Sequence, residues 1–161
     1  MTRNSTEKPL SDQYVPVNKI LIPLGAPLDK SKLIVALHAL SAFKDPLLIL
    51  FHVIEFTSRT APLDPDLYAP DIIAAEQTYL TPVAQWLGAQ GYHVKTKVAI
   101  ARSLVEGIIE EANNGGYAAA LLLKRRQKKG VFKRHKSVSE RVSRRVECLV
   151  VTQLIEPQFG P

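Results

Sequence analysis

This 161-residue chain has one cysteine, no long apolar run and no pattern of a targeting signal. The single cysteine, Cys148, excludes an internal disulfide, and its apolar neighbours predict a buried thiol with a packing role. No apolar run reaches the ~18–20 residues that a transmembrane helix needs, which argues against a membrane-spanning protein. The first sixteen residues are polar and contain no apolar core of a signal peptide, so the sequence predicts a cytoplasmic protein.

Signatures of catalysis and of metal binding are also missing. The four histidines show none of the spacings that zinc ligands adopt, such as H-x3-H or H-E-x-x-H, and His38 and His52 are predicted to be structural. The chain contains no G-x-S-x-G motif and no carboxylate pair placed for general acid and base catalysis. The sequence therefore predicts no metal site and no enzyme, with a slow ATPase as the one enzymatic alternative left open.

The chain does contain a regular alternation of short apolar segments and amphipathic ones. Helices are predicted after Asp29 or Ser31, over 71–89, after Ser103 and after Ser137; Pro82 predicts a kink or a late start in the second. Alternating with them, strands are predicted over 19–24, 45–56, 92–100, 117–123 and 147–154. Strands separated by helices predict right-handed crossovers, and so a three-layer α/β fold in which a doubly wound, parallel, five-stranded sheet is covered on both faces.

Length and composition predict one folded domain with polar ends. A chain of 161 residues, 46% hydrophobic and 22% charged, has ordinary globular composition and room for one core. Residues 1–17 are predicted to form a disordered or loosely packed arm, 18–155 the domain and 156–161 a C-terminal tail. The last strand, Glu147–Leu154, is apolar and would lie at a sheet edge. Such an edge pairs readily with another chain, so a homodimer through this strand is expected.

Three segments, taken together, resemble the universal stress protein family. They are KILIPL at 19–24, SLVEGIIEEANNGGYAAALLL at 103–123 and SVSERVSRRVECLVVT at 137–152. The resemblance implies an adenine nucleotide alpha hydrolase-like sheet with strand order 3-2-1-4-5 and, commonly, a homodimer joined through the last strand. In doubly wound folds of this kind ligands bind at the carboxyl ends of the strands, where the strand order reverses.

Nucleotide-binding members of that family carry a G-x-x-G-x9-G-[ST] motif after the fourth strand, and in this chain most of the motif is replaced. Lys124, Gln127 and Lys136 stand at the three glycine positions, in a loop one residue shorter than the motif, and Ser137 is retained. Those glycines let backbone amides approach phosphates, so bulky side chains there predict that the usual ATP site is degraded. Gly25 stands where such members place an aspartate that contacts the nucleoside.

The same part of the chain is strongly basic. Eight of the thirteen residues in 124–136, the basic loop, are Lys or Arg, and the segment 124–145 holds eleven basic residues and one acid, Glu140. The rest of the chain has ten basic and fourteen acidic residues. The basic loop is compatible with phosphate binding, with a nucleic-acid or membrane patch, or with a solvated loop without a ligand. The candidate anion or nucleotide site comprises Gly25, Lys124, Arg125, Lys128, Lys136 and Ser137.

The sequence leaves three functions open. The first is a non-enzymatic, universal stress protein-like regulatory or binding module, homodimeric, with a degraded ATP site and no cofactor. The second is a stress sensor that binds ATP, AMP or another phosphorylated ligand through the basic loop. The third is a nucleic-acid-associated protein. Stable membrane attachment is not expected, because no second anchor accompanies the basic loop.

Overall fold

The structure, a computed structural model, describes residues 18–25, 30–56, 65–125 and 137–155. The predicted arm and tail, and the part of the basic loop at 126–136, lie outside these residues. Within them, strands and helices alternate along the chain as predicted. The elements are β1 Lys19–Pro23, α1 Lys30–His38, β2 Leu47–Glu55, α2 Pro65–Ala89, β3 His93–Ala101, α3 Leu104–Asn114, β4 Ala119–Arg125, α4 Val138–Ser143 and β5 Leu149–Ile155.

The strands form one parallel sheet in the order β3-β2-β1-β4-β5. This confirms the predicted α/β fold, a doubly wound five-stranded sheet with strand order 3-2-1-4-5. The chain first moves from β1 outward to β2 and β3, then crosses back to the other side of β1 for β4 and β5. The strand order therefore reverses between β1 and β4, which is where folds of this class bind their ligands.

Helices cover both faces of the sheet, because successive strand residues alternate between two apolar clusters. Ile20 and Ile22 of β1 point toward α1 and α2, and Leu21 between them points toward α3 and α4. All three side chains are fully buried, and burial of each stabilises the fold by about 1.5–3 kcal/mol. The central strand is thus held from both faces, which gives the carboxyl end of β1 a defined position.

Helix α2 begins earlier than predicted, at Pro65 instead of near residue 71. Proline suits the first helical position, because the amide that it lacks would have no partner there. The helix also continues through Pro82, so the predicted late start at this proline is wrong. An interior proline costs about 3 kcal/mol, but Leu80 and Leu87 are fully buried on either side of it and contribute about 1.5–3 kcal/mol each.

Strand β4 begins and ends two residues later than predicted, at Ala119 and Arg125 instead of 117 and 123. It continues through Lys124 and Arg125, which lie in register with Leu154 and Ile155 of β5. Backbone pairing determines where a strand ends, and charged side chains at an exposed strand end do not interrupt that pairing. The basic loop, predicted over 124–136, therefore begins inside the sheet.

Strand β5 begins at Leu149, two residues later than predicted, and ends at Ile155. The backbone before it is engaged elsewhere. The Glu147 amide donates to Asn113 Oδ1 at 2.9 Å, and Asn113 Nδ2 donates to the Arg145 carbonyl at 3.2 Å. One asparagine at the end of α3 thus holds the chain as it enters β5, and this delays the strand.

Two helical glycines are expected to respond oppositely to alanine. A Cβ at Gly107 of α3 would lie 2.8 Å from Val53 Cγ1, whereas a Cβ at Gly88 of α2 would meet no atom within 4 Å. We expect Gly107→Ala to destabilise the protein by about 1–2 kcal/mol, since overpacking against a stiff valine outweighs the gain of about 1 kcal/mol in helix propensity.

Gly88→Ala is the matched control and is expected to stabilise the protein by up to about 1 kcal/mol. The free energy of unfolding in denaturant measures both values. A stabilised Gly107→Ala protein would contradict the close approach of α3 to β2.

Candidate functional site

The sheet opens at the carboxyl ends of β1 and β4. The register between these strands covers Ile20–Ala119 and Leu21–Ala120, and it ends there although both strands continue. The end of β1 stays with β2 instead, and the Leu24 amide donates to a β2 carbonyl at 2.8 Å. The two central strands therefore part at the edge where the sequence predicts the ligand site.

Gly25 lies on the β1 side of this opening. It is exposed, and a Cβ built on it would meet no atom within 4 Å. Its φ lies outside the left-handed region, so neither packing nor backbone conformation requires glycine here. An aspartate would fit at this position. The missing carboxylate is thus a chemical difference from the nucleotide-binding pattern and not a steric necessity.

His52 of β2 holds the end of β1. Its Nδ1 lies 2.7 Å from the carbonyl oxygen of Leu24, and Nδ1 is the donor because a carbonyl oxygen accepts. The ring also meets Tyr79 of α2 in an edge-to-face arrangement, with centroids 6.2 Å apart. These contacts agree with the predicted structural role of His52. No sequence pattern identified Leu24 as its partner, since the two residues are 28 positions apart.

Lys124 lies on the β4 side of the opening, and its charge already has a partner. Its Nζ is 3.4 Å from Glu140 Oε1, with 24% of the lysine side chain and 46% of the glutamate side chain exposed. A partly exposed pair of this kind contributes about 0–1 kcal/mol to stability, so it matters more for position than for folding. Glu140 therefore competes with any anion that approaches Lys124.

Ser137 is the N-cap of α4, as predicted. Its Oγ accepts a hydrogen bond from the Glu140 amide at 3.2 Å and lies 3.1 Å from Ser139 Oγ. A capping box would also direct the Glu140 carboxylate back toward the N-cap amide. In the structure that carboxylate contacts Lys124, because an ammonium within reach attracts a carboxylate more strongly than a neutral amide does.

The other predicted site residues are only partly described. Arg125 is the last residue of β4 and lies in register with Ile155. Lys128 and Lys136 lie outside the described residues. The structure thus brings Gly25 and Lys124 to neighbouring strand ends and connects Ser137 to Lys124 through Glu140.

Glu55 is a residue at this edge that sequence reasoning missed. It ends β2, and its Oε1 accepts a hydrogen bond from the Leu104 amide at the start of α3, at 2.7 Å. The Ser103 hydroxyl, which is the N-cap of α3 as predicted, accepts from the Glu106 amide at 3.1 Å. Two side chains therefore satisfy the first amides of α3. Glu55 lies 49 positions before Leu104, so no spacing in the sequence identifies it as a cap of α3.

The one cysteine of the chain lies among the described residues. Cys148 is half-buried, and burial raises the pKa of its thiol, which disfavours the reactive thiolate. No three His, Cys, Asp or Glu side chains in the described ranges converge as metal ligands. None of the helices in those ranges has the length and apolar character to cross a membrane.

Comparison with known proteins finds similarity in structure and not in sequence. No family model matches the chain, and no curated protein is similar enough to match. UspA from Lactobacillus plantarum is 16% identical, with 86% of this chain and 98% of that chain covered and a TM-score of 0.62. The universal stress protein from Archaeoglobus fulgidus is 18% identical over 89% and 98%, with a TM-score of 0.60. Its complex with dAMP is 16% identical over 86% and 98%, with a TM-score of 0.58. This chain therefore has the universal stress protein fold.

Removing the His52 donor should weaken the fold at the end of β1. His52→Phe keeps an aromatic ring but leaves the Leu24 carbonyl without this partner, and we expect a loss of about 1–3 kcal/mol. His93→Phe is the control, because His93 contacts Asp45 in an exposed pair and its loss should change stability by less than about 0.5 kcal/mol. Unfolding in denaturant measures both. Equal effects of the two substitutions would show that His52 does not hold the end of β1.

Proposed function

We propose that this chain is a non-enzymatic, cytoplasmic binding module of the universal stress protein kind, in which side-chain cations have replaced the backbone cradle for a nucleotide. The observation that supports this most directly is the position of Lys124. It is a strand residue in register with Leu154, and its ammonium contacts Glu140. Nucleotide-binding members have a glycine at this position, whose bare backbone can approach a phosphate.

Similarity to a nucleotide complex supports the fold, whereas the residues of this chain determine what its site can bind. The Archaeoglobus protein was solved with dAMP, so a universal stress protein fold can hold an adenine nucleotide. This chain lacks the aspartate expected at Gly25 and carries Lys124, Gln127 and Lys136 at the three glycine positions. We therefore propose that ATP is not held in the family's usual way and that the module acts through other partners.

A nucleotide sensor is the second candidate. Two observations favour it: the space above Gly25 is open, and Lys124 lies near the end of β4, at the same carboxyl edge of the sheet. A ligand phosphate could displace Glu140 from Lys124, since the exposed pair is weak. This candidate requires that point charges replace the directional amides of the glycine motif.

Thermal unfolding with ATP or AMP separates the two candidates. A ligand present at a hundred times its Kd stabilises the folded state by about 2.7 kcal/mol. For a chain of this size that raises the Tm by about 5–11 °C. We expect a shift below about 1 °C at millimolar ATP, because the glycine cradle is replaced. A shift of about 5 °C or more in the wild-type protein would make the sensor the correct function.

A restored variant serves as the positive control. It carries Gly25→Asp, for which the structure has room, together with Lys124→Gly, Gln127→Gly and Lys136→Gly. We expect this variant to gain an ATP-dependent rise in Tm. If it stays folded but gains none, these four positions are not the cause of the lost site.

We also propose that the module is a homodimer joined through β5. Both outer strands of the described sheet, β3 and β5, have one edge without a neighbouring strand. On β5, Leu149 and Leu154 are 58% and 57% exposed, and the whole strand contains no charged residue. On β3, Lys95 and Lys97 are exposed, and lysines at a sheet edge discourage pairing. The two edges therefore differ in the way expected if β5 pairs and β3 does not.

The mass in solution tests the dimer. Light scattering is expected to give twice the chain mass of 17.8 kDa. Leu149→Lys/Leu154→Lys should yield monomers, since charges at a sheet edge oppose pairing and the buried leucine contacts are lost. Lys95→Glu on the opposite edge is the control and should leave the mass unchanged. A monomeric wild-type protein, or a double variant that remains dimeric, would contradict the interface.

A further inference from the structure

We infer that the outer face of α4 is a binding surface for a phosphodiester polymer, a nucleic acid strand. The surface, here called the α4 face, is defined by Arg141 and Arg144 together with Lys124 at its near end. This inference goes beyond the proposed function: it shares Lys124 with the candidate nucleotide site, but it depends on Arg141 and Arg144, which belong neither to that site nor to β5. It depends on how charge is distributed over the described residues and on the length of the surface.

The chain separates its charges along the sequence. The segment 124–145 carries eleven basic residues against one acid, and the remaining residues carry ten basic against fourteen acidic. Solubility needs net charge but is indifferent to where that charge lies, so it does not explain the separation. A polyanionic partner does explain it, because a local positive field attracts phosphates and raises the rate of encounter.

The structure shows which of these charges are available. Ser139 and Val142 form the buried side of α4, and Arg141 and Arg144, three positions apart, are exposed on the other side. Arg145 is engaged, since its guanidinium makes two hydrogen bonds to Glu106, of 2.6 and 3.3 Å. The described ion pairs include Arg145 and not Arg141 or Arg144, which are exposed, although Arg141 lies near enough to Glu106 to help lower the pKa of that carboxyl.

The α4 face is too long for a single phosphate. Its near end is fixed by the contact between Lys124 and Glu140, at the carboxyl end of β4. Its far end is fixed by Asn113, which bonds the Arg145 carbonyl near the start of β5. The six-residue helix with its N-cap and C-cap spans about 12 Å, whereas a nucleic acid strand presents one phosphate per about 3.4 Å of helix axis. Several successive phosphates can therefore lie along this face.

A membrane fits the same surface less well. Stable attachment of a basic helix to a bilayer needs an apolar side that enters the lipid. Within the described part of α4, Val138 is the one exposed large apolar side chain, at 39%, while Val142 is buried in the core. Charge without insertion favours a hydrated, flexible polymer of phosphates, which needs ion contacts alone.

Fluorescence polarisation tests the inference. The ligands are a short mixed-sequence RNA, the same sequence as single-stranded DNA and as duplex DNA, and anionic vesicles. We expect the wild-type protein to bind the oligonucleotides at low salt, with affinity falling linearly in log[salt]. Arg141→Glu/Arg144→Glu should weaken binding by about tenfold or more and reduce the salt slope by about two, since each phosphate contact contributes about one. Arg141→Gln/Arg144→Gln is the milder variant should the charge reversal disturb folding.

The control is Lys44→Glu/Lys95→Glu, an equal charge change at exposed residues on the β2–β3 side of the sheet. Four strand spacings separate β3 from β5, about 19 Å, so this variant changes net charge without touching the α4 face. We expect it to weaken binding by less than about threefold. Equal losses in both variants, binding to vesicles without binding to oligonucleotides, or no oligonucleotide binding at low salt would each overturn the inference. In a further outcome, inorganic polyphosphate competes with the oligonucleotides and binds the α4 variants with an equal loss of affinity. That result would support the surface and would show that it recognises repeated phosphates and not the base or sugar.

Discussion

The way β1 is held determines what the carboxyl edge of this sheet can do. Ile20, Leu21 and Ile22 are fully buried and anchor the strand to helices on both faces. At its end the strand follows β2, through the Leu24 amide and through His52, which donates to the Leu24 carbonyl. Because the end of β1 stays with β2, a gap opens between β1 and β4. The site is thus a consequence of unequal pairing around the central strand.

The sequence predicted the layers of this fold better than its edges, for a physical reason. Burial on both faces requires unbroken apolar strands, and such runs can be read directly from residues such as those of β1 and β2. Strand and helix ends depend on partners that lie far away in the chain. Lys124 is a strand residue because Leu154 pairs with it. Proline did not interrupt α2, because buried leucines on either side hold it to the sheet.

The candidate site was predictable in position but not in its contacts. The strand order that the family resemblance implies placed Gly25 and Lys124 at neighbouring strand ends. The contact between Lys124 and Glu140, and the cap that Glu55 provides for α3, join residues 16 and 49 positions apart. Both involve exposed, flexible side chains, whose spacing follows no periodic pattern. Such contacts decide whether a cation is free to bind a ligand. The chemistry of the carboxyl edge therefore could not be predicted from the sequence alone.

Exchanging backbone amides for side-chain cations changes the kind of partner that a site can select. Amides on a glycine loop are fixed dipoles that require close approach and so recognise the shape of one phosphate group. Lysine and arginine side chains reach further, but each loses rotamer entropy when held in one place, and lysine is strongly hydrated. A site built from such side chains is less selective for the position of a phosphate, while its attraction for distant anions grows with the number of charges. On the proposed function, a chain with cations in place of these glycines is expected to lose selectivity for a compact nucleotide and to gain attraction for extended anions. Arg141 of α4 and its C-cap Arg144 are exposed, and their charge is expected to add to that attraction.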